Sequence, residues 1–245
     1  MRIPGRARLE FGRRLRAWYR RSARDLPWRR TRDPYEVLVS ELMLQQTQVV
    51  RVVPKYAEFL QRFPTLASVA ASKPAQVMEA WAGLGYYARA RALHRLARLA
   101  APALPADPAA LRALPGIGAY TAGAVASFAY ERRAALVDTN VARVLTRVFA
   151  PGLDPRTPHG RRTAWAIAEA TLPRSGTVAY AHNQALIELG ALICTARVAH
   201  CTACPVRSVC NSAAAAKARR PRHIDGAGSG ARSGRYRPAA PFSVR

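Results

Sequence analysis

At 245 residues, half of them hydrophobic, the chain can bury a substantial core in one or two domains, which excludes wholesale disorder. Its formal net charge of +25, from 39 basic against 14 acidic residues, points to a polyanionic partner. No run approaches the roughly 18 to 20 consecutive apolar residues of a membrane span, and the N-terminus has no apolar stretch that serves as a signal peptide.

Residues 1–32 carry twelve Arg against Glu10 and Asp25, with Phe11, Leu15 and Trp18 at helical spacing. A basic amphipathic helix is expected there, broken at Leu26-Pro27-Trp28. Throughout the chain Lys appears only at Lys55, Lys73 and Lys217. Arg suits phosphate because its planar fork donates two hydrogen bonds at once, although Arg and Ala enrichment also follows from coding bias in a GC-rich genome. From Pro34 to Gly190 short helical patterns succeed one another, punctuated at Pro64, Pro74, Gly83, Pro115, Pro151 and Pro173. Val37, Leu38, Leu42, Val49, Val52 and Val53 follow a spacing of three to four, and alternating strand-type runs are scarce, so the expected fold is all-α. Residues 212–245 are Ala, Arg, Gly, Ser and Pro with almost no large apolar side chains until Phe242. They read as a basic, disordered tail.

Leu114-Pro115-Gly116-Ile117-Gly118 lies between two helical patterns. Its two glycines allow a tight turn whose amides, beside a helix N-terminus, suit a phosphate oxygen. The longer string Leu-Pro-Gly-Ile-Gly-Ala-Tyr-Thr-Ala-Gly-Ala resembles the helix-hairpin-helix motif of DNA glycosylases, which implies that Leu114, Gly116 and Gly118 contact DNA. Four Cys, Cys194, Cys201, Cys204 and Cys210, crowd into 17 residues as C-x6-C-x2-C-x5-C. That is one local thiolate site rather than a disulfide framework, and it fits a reducing, cytoplasmic setting. Thiolates serve zinc and iron–sulfur clusters alike, but zinc sites more often use two CxxC pairs or pair CxxC with His.

Two acidic residues lie inside apolar helical segments. Glu41 sits mid-helix in Ser40-Glu41-Leu42-Met43-Leu44-Gln45-Gln46, with Gln45 four residues on and on the same helix face. Asp138, in Val137-Asp138-Thr139-Asn140, stands at a helix start. Taken alone, each is equally well a structural residue: a satisfied Glu–Gln pair and a plain N-cap.

Six segments together change that balance: Leu26 to Trp28, Ser40 to Gln48, Gly83 to Arg91, Leu114 to Ala124, Val137 to Val144 and Asn183 to Cys210. In order, and over residues 10–211, they resemble the MutY family of adenine DNA glycosylases. The resemblance implies a helix-hairpin-helix glycosylase fold, with a six-helix barrel lobe over residues 30–136 and a cluster lobe over 137–211. The N-terminal helix, residues 1–29, would pack with the cluster lobe. The four Cys would hold a 4Fe-4S cluster, as their spacing is that of endonuclease III-type glycosylases. Glu41 would be the general acid that protonates adenine, Asp138 the ionised carboxylate that stabilises the sugar's C1′, and Asn140 its orienting neighbour. Tyr120 stands where bifunctional lyases of the superfamily carry a Lys, so a monofunctional glycosylase is implied, with Tyr120 lining the site. Gln46 and Tyr86 would insert near the orphan base once adenine flips, Trp28, Arg29, Leu44 and Gln184 would surround the adenine pocket, and Gln45 would contact the substrate DNA.

The implied partner is double-stranded DNA carrying adenine opposite 8-oxoguanine or guanine, bound by a nucleoid-associated monomer without a membrane role. Two departures stand out. The segment after Cys210 cannot supply the Nudix-like domain with which such proteins read 8-oxoguanine, and Thr139 stands where many members have Gly. Adenine excision is therefore carried over, and a strong preference for 8-oxoguanine is not. Rival readings are a mismatch thymine or uracil glycosylase of the same superfamily and a non-catalytic DNA-binding paralogue.

Overall fold

A computed structural model describes residues 3–218. Among them twelve α-helices and two 3-10 turns account for all regular structure beyond one isolated bridge, Cys194 to Ala199. The helices are α1 (Gly5–Ser22), α2 (Pro34–Leu44), α3 (Val49–Arg62), α4 (Leu66–Ala71), α5 (Pro74–Ala80) and α6 (Ala88–Ala100), then α7 (Pro108–Arg112), α8 (Ala119–Phe128), α9 (Thr139–Phe149), α10 (Pro158–Thr171), α11 (Gly176–Leu192) and α12 (Asn211–Ala218). The all-α expectation holds.

Helix starts follow local chemistry. Asp33 caps α2 by accepting from the Tyr35 and Glu36 amides, with Pro34 in the first turn, where its missing N–H costs nothing. Asp107, Thr157 and Asp138 cap α7, α10 and α9 in the same way. Seven helical segments fall within residues 30–136 because Lys73-Pro74 separates the short α4 from α5.

One packing group joins α2 to α3 and α8, α4 and α5 to α6, and α7 to α8; in the other, α1, α9, α10, α11 and α12 pack together. On α1, Phe11 and Leu15 are fully buried, and Phe11 meets the Phe149 ring edge-on at 5.0 Å. The basic faces of α1 stay in water, so the charge leaves the core intact. Contacts between α8 and α11 bridge the groups, and Asn183 fixes them with hydrogen bonds of 2.9 Å to Ser127 Oγ and the Ala134 carbonyl.

Helix α12 overlaps the start of the tail expected from residue 212. Its Ala-rich sequence has high helix propensity, and Ala214 N–H bonds back to the Cys210 carbonyl at 3.1 Å. The remainder of the expected tail lies outside the described residues.

Candidate active site

The N-terminal ends of α8 and α9, the C-terminal end of α2 and one face of α11 converge on a cleft of about 930 Å³. Glu41, Asp138, Tyr120 and Asn140 share its wall with Trp28, Arg29, Leu44, Gln45, Gln46, Gly116, Gly118 and Gln184. Residues from positions 28 to 184 thus meet in one place. Leu114 opens the hairpin turn and packs on the core rather than lining the cleft, and Tyr86 lies in an adjoining hollow with Gln46.

Glu41 is on a helix buried at Tyr35 and from Val37 to Met43, so its carboxyl faces little water. Burial pushes its pKa up to about 7, and the Asp138 charge adds to the rise; interaction with the Tyr120 hydroxyl and the Arg29 charge pull it partly back. Asp138 is also raised by burial. Its oxygens, however, accept from Val141 N–H at 2.6 Å and Asn140 Nδ2 at 3.2 Å, and these bonds favour the charged form. Two carboxyls in one cleft thus differ in what stabilises them, the arrangement an acid and an anion need. Burial and the Glu41 and Asp138 charges raise the Tyr120 phenol well above its ordinary value, keeping it a neutral donor.

The structural Glu41–Gln45 pair that the spacing also allowed is not made among the described residues. Helix α2 ends at Leu44, because the Arg89 guanidinium takes over the carbonyls of Leu42 and Met43 that would extend it. Gln45 therefore sits past the helix end, its amide 3.4 Å from Thr121 Oγ1.

Sequence reasoning missed Glu188, four residues beyond Gln184 on α11 and fully buried behind the cleft. Burial alone would raise it, but hydrogen bonds from Arg24 and Arg29 prevail and hold it at about 2. Arg29 Nη2 reaches Glu188 at 2.8 Å while Arg29 Nε donates to Gln184 Oε1 at 3.1 Å. This clamp fixes the guanidinium beside Glu41. Arg143, also missed, donates to Asn140 Oδ1 and the Gly190 carbonyl at 2.8 Å, and to the Cys194 carbonyl at 2.9 Å.

At the hairpin, Gly116 has φ of +78°, and a Cβ there would lie 2.5 Å from that of Ala92. A Cβ at Gly118 would meet nothing within 4 Å, and neither glycine amide has a backbone partner among the described residues. An open turn with unpaired amides at the start of α8 is a ready anion site.

The four Cys line a second cavity, about 490 Å³, at the far end of α11. Arg147 holds its wall, donating to the Thr195 carbonyl at 2.7 Å and to Cys194 Sγ at 3.4 Å. Among the described residues no three His, Cys, Asp or Glu side chains converge tightly enough to hold one metal ion. The four thiols line one cavity, and as a donor set they suit zinc and iron–sulfur clusters alike.

The pattern of the HhH-GPD superfamily base excision DNA repair proteins matches residues 39–169, more than half of the chain. The chain belongs to that superfamily. Among its HhH-GPD relatives, an adenine DNA glycosylase of Homo sapiens is 42% identical over 211 residues, covering 81% of this chain and 38% of the relative. One of Mycolicibacterium smegmatis is 46% identical over 197 residues, covering 78% of this chain and 66% of the relative. The chain thus spans between about two fifths and two thirds of these relatives' lengths. A thermostable thymine-DNA glycosylase structure superposes with a TM-score of 0.77 at 28% identity, covering 86% of this chain and 98% of that one. An endonuclease III trapped covalently on DNA superposes at 0.72 and 21% identity, covering 89% and 100%, and supports the fold alone. No described helix is long and apolar enough to cross a membrane.

Proposed function

We propose that this chain removes adenine from mispairs in double-stranded DNA, opposite 8-oxoguanine or guanine, by acid-assisted hydrolysis of the N-glycosidic bond. The observation that carries the proposal is Glu41, a buried carboxyl raised to about 7 in the same cleft as a hydrogen-bonded Asp138.

Adenine is a poor leaving group, so the C1′–N9 bond breaks only as the base is protonated. Protonated Glu41 delivers that proton, to N7, and its carboxylate then takes a proton from the attacking water. The products are free adenine and an abasic sugar. Asp138 stays ionised and stabilises the positive charge that develops at C1′, as carboxylate pairs do in retaining glycosidases. Asn140 orients Asp138, with its own amide steadied by Arg143. Tyr120 offers no amine, so no Schiff base forms and the strand is left uncut.

The base must leave the stack to reach Glu41. Gln46 and Tyr86 fill the gap, Trp28, Arg29, Leu44, Gln45 and Gln184 receive the base, and the Gly116 and Gly118 amides hold a backbone phosphate over the Leu114 turn. The lobes are assigned as residues 30–136 and 137–211, the latter with the N-terminal helix, and the working state as a monomer in the cytoplasm beside the chromosome. Cys194, Cys201, Cys204 and Cys210 would hold a 4Fe-4S cluster, whose contribution is structural, since base excision needs no electron transfer.

The test is single-turnover incubation with duplexes carrying A opposite 8-oxoguanine, G, C or T, with and without alkali. Alkali-dependent cleavage at A opposite 8-oxoguanine or G is the expected result. The thymine-DNA glycosylase likeness supports a second reading, in which the excised base is T opposite G. Cleavage of G·T duplexes with none at adenine would replace the first reading by the second.

A further inference from the structure

Arg89 is 8% exposed, yet no carboxylate pairs with it among the described residues. Its guanidinium is spent on backbone instead. Nη1 donates to the carbonyls of Leu42 at 2.8 Å, Met43 at 3.0 Å and Gln45, and Nη2 to those of Leu84 at 3.1 Å and Gly85 at 3.0 Å. Both nitrogens reach Thr47 Oγ1, and the Tyr86 ring lies 5.4 Å from Arg89 Cζ. Two of these carbonyls matter most. Those of Gln45 and Gly85 belong to the peptide groups that lead into Gln46 and Tyr86, whose φ values of 56° and 49° are left-handed.

Left-handed backbone at non-Gly residues costs free energy that the surroundings must offset, and such residues gather at functional sites. Here two turns, forty residues apart in sequence, each carry one, and a single guanidinium grips both. Both residues are exposed and line one hollow beside the cleft, with Tyr86 61% exposed. A Lys in place of Arg89 would offer one compact group with three donors, unable to span both turns.

We propose that Arg89 is a positioning residue that locks Gln46 and Tyr86 into one wedge, so that the two side chains enter the duplex together and hold the target base out. This rests on the duplex-opening reading under Proposed function. It adds what sets the wedge's spacing and shape.

The test places 2-aminopurine, fluorescent when unstacked, at the target position opposite guanine in a duplex, and measures the signal at saturating protein. The variants are Arg89→Lys, the milder Thr47→Val, the wedge-less Gln46→Ala/Tyr86→Ala, and each clamp change in the wedge-less background. Arg89→Lys is expected to lower the unstacked signal about tenfold or more. In the wedge-less background it is expected to lower it no further, because a clamp acts only through what it clamps. Thermal melts establish that each variant is folded. If Arg89→Lys does not fold, Thr47→Val decides, with a smaller loss that again vanishes without the wedge. Equal fold-losses in both backgrounds, an undiminished signal in the folded clamp variants, or no signal from the wild-type protein would each overturn the proposal. Cleavage of adenine is read separately, on the same duplex with adenine restored. A wild-type signal that depends on Arg89, without adenine cleavage, leaves the clamp standing and removes the adenine reading.

Discussion

Glu41 on α2 and Glu188 on α11 are both buried beside the same cleft, and the protein moves them in opposite directions. Glu41 is raised to about 7 and Glu188 is held at about 2. Burial raises both, so burial does not decide the outcome. Partners do: Glu188 receives three hydrogen bonds from Arg24 and one from Arg29, whereas Glu41 has no ion pair among the described residues and lies near the Asp138 charge. One carboxyl is kept partly protonated near neutral pH, as the proposed acid requires. The other is a fixed anion that keeps Arg29 in place.

The comparison breaks most visibly at Glu41. Glu41→Gln is expected to slow adenine excision by on the order of 10³-fold in single-turnover assays, since an amide delivers no proton. The same change is expected to leave the fold more stable. A carboxyl whose folded pKa of about 7 exceeds the ordinary 4.5 loses stability as pH rises through that window, and Gln does not titrate. A gain on the order of 1 to 3 kcal/mol in urea unfolding at neutral pH would show it.

Glu188→Gln should do the reverse to stability, costing about 3 kcal/mol because Arg24 and Arg29 lose their counter-charge. Chemical denaturation at pH 7 reads this directly, and an unchanged midpoint would mean that the clamp is not holding. The carboxylate's contribution is present above the ordinary carboxylate range and is lost as pH falls towards 2.

His182 sharpens the comparison as a buried group without a hydrogen-bond partner among the described residues. It is fully buried on α11 where that helix meets α1, neither ring nitrogen has a hydrogen bond among the described residues, and burial with the Arg16 charge lowers it to about 3. The unfolded chain therefore binds the proton first, and stability falls by about 1.4 kcal/mol per pH unit below 6.5 through this group alone. His182→Phe is expected to flatten that part of the stability–pH curve. An unaltered slope between about pH 4 and 6 would show that His182 already finds a partner.

Much of this was legible in the sequence because the signals are local. Helical spacing gave the all-α fold, Gly116 and Gly118 marked the turn, and Asp138 announced a helix start. The four Cys could be read as one site from spacing alone. What stayed hidden depends on contacts between distant segments. Glu188 is an ordinary helix residue until Arg24 and Arg29 fold over it, 164 and 159 positions away. Arg89 is one Arg among many until its guanidinium reaches the carbonyls of Leu42, Met43 and Gln45, more than forty positions away. Arg143 joins Asn140 to the Cys194 carbonyl through a side chain whose direction no spacing rule specifies.

The central claim is that a buried, protonated Glu41 drives base excision. Its most direct test is the pH dependence of the single-turnover excision rate at subsaturating protein, which reports groups of the free enzyme. The predicted result is a rate that falls through an apparent pKa near 7 and then drops about tenfold per pH unit. A rate that rises through neutral pH, or stays level up to about pH 9, would contradict it.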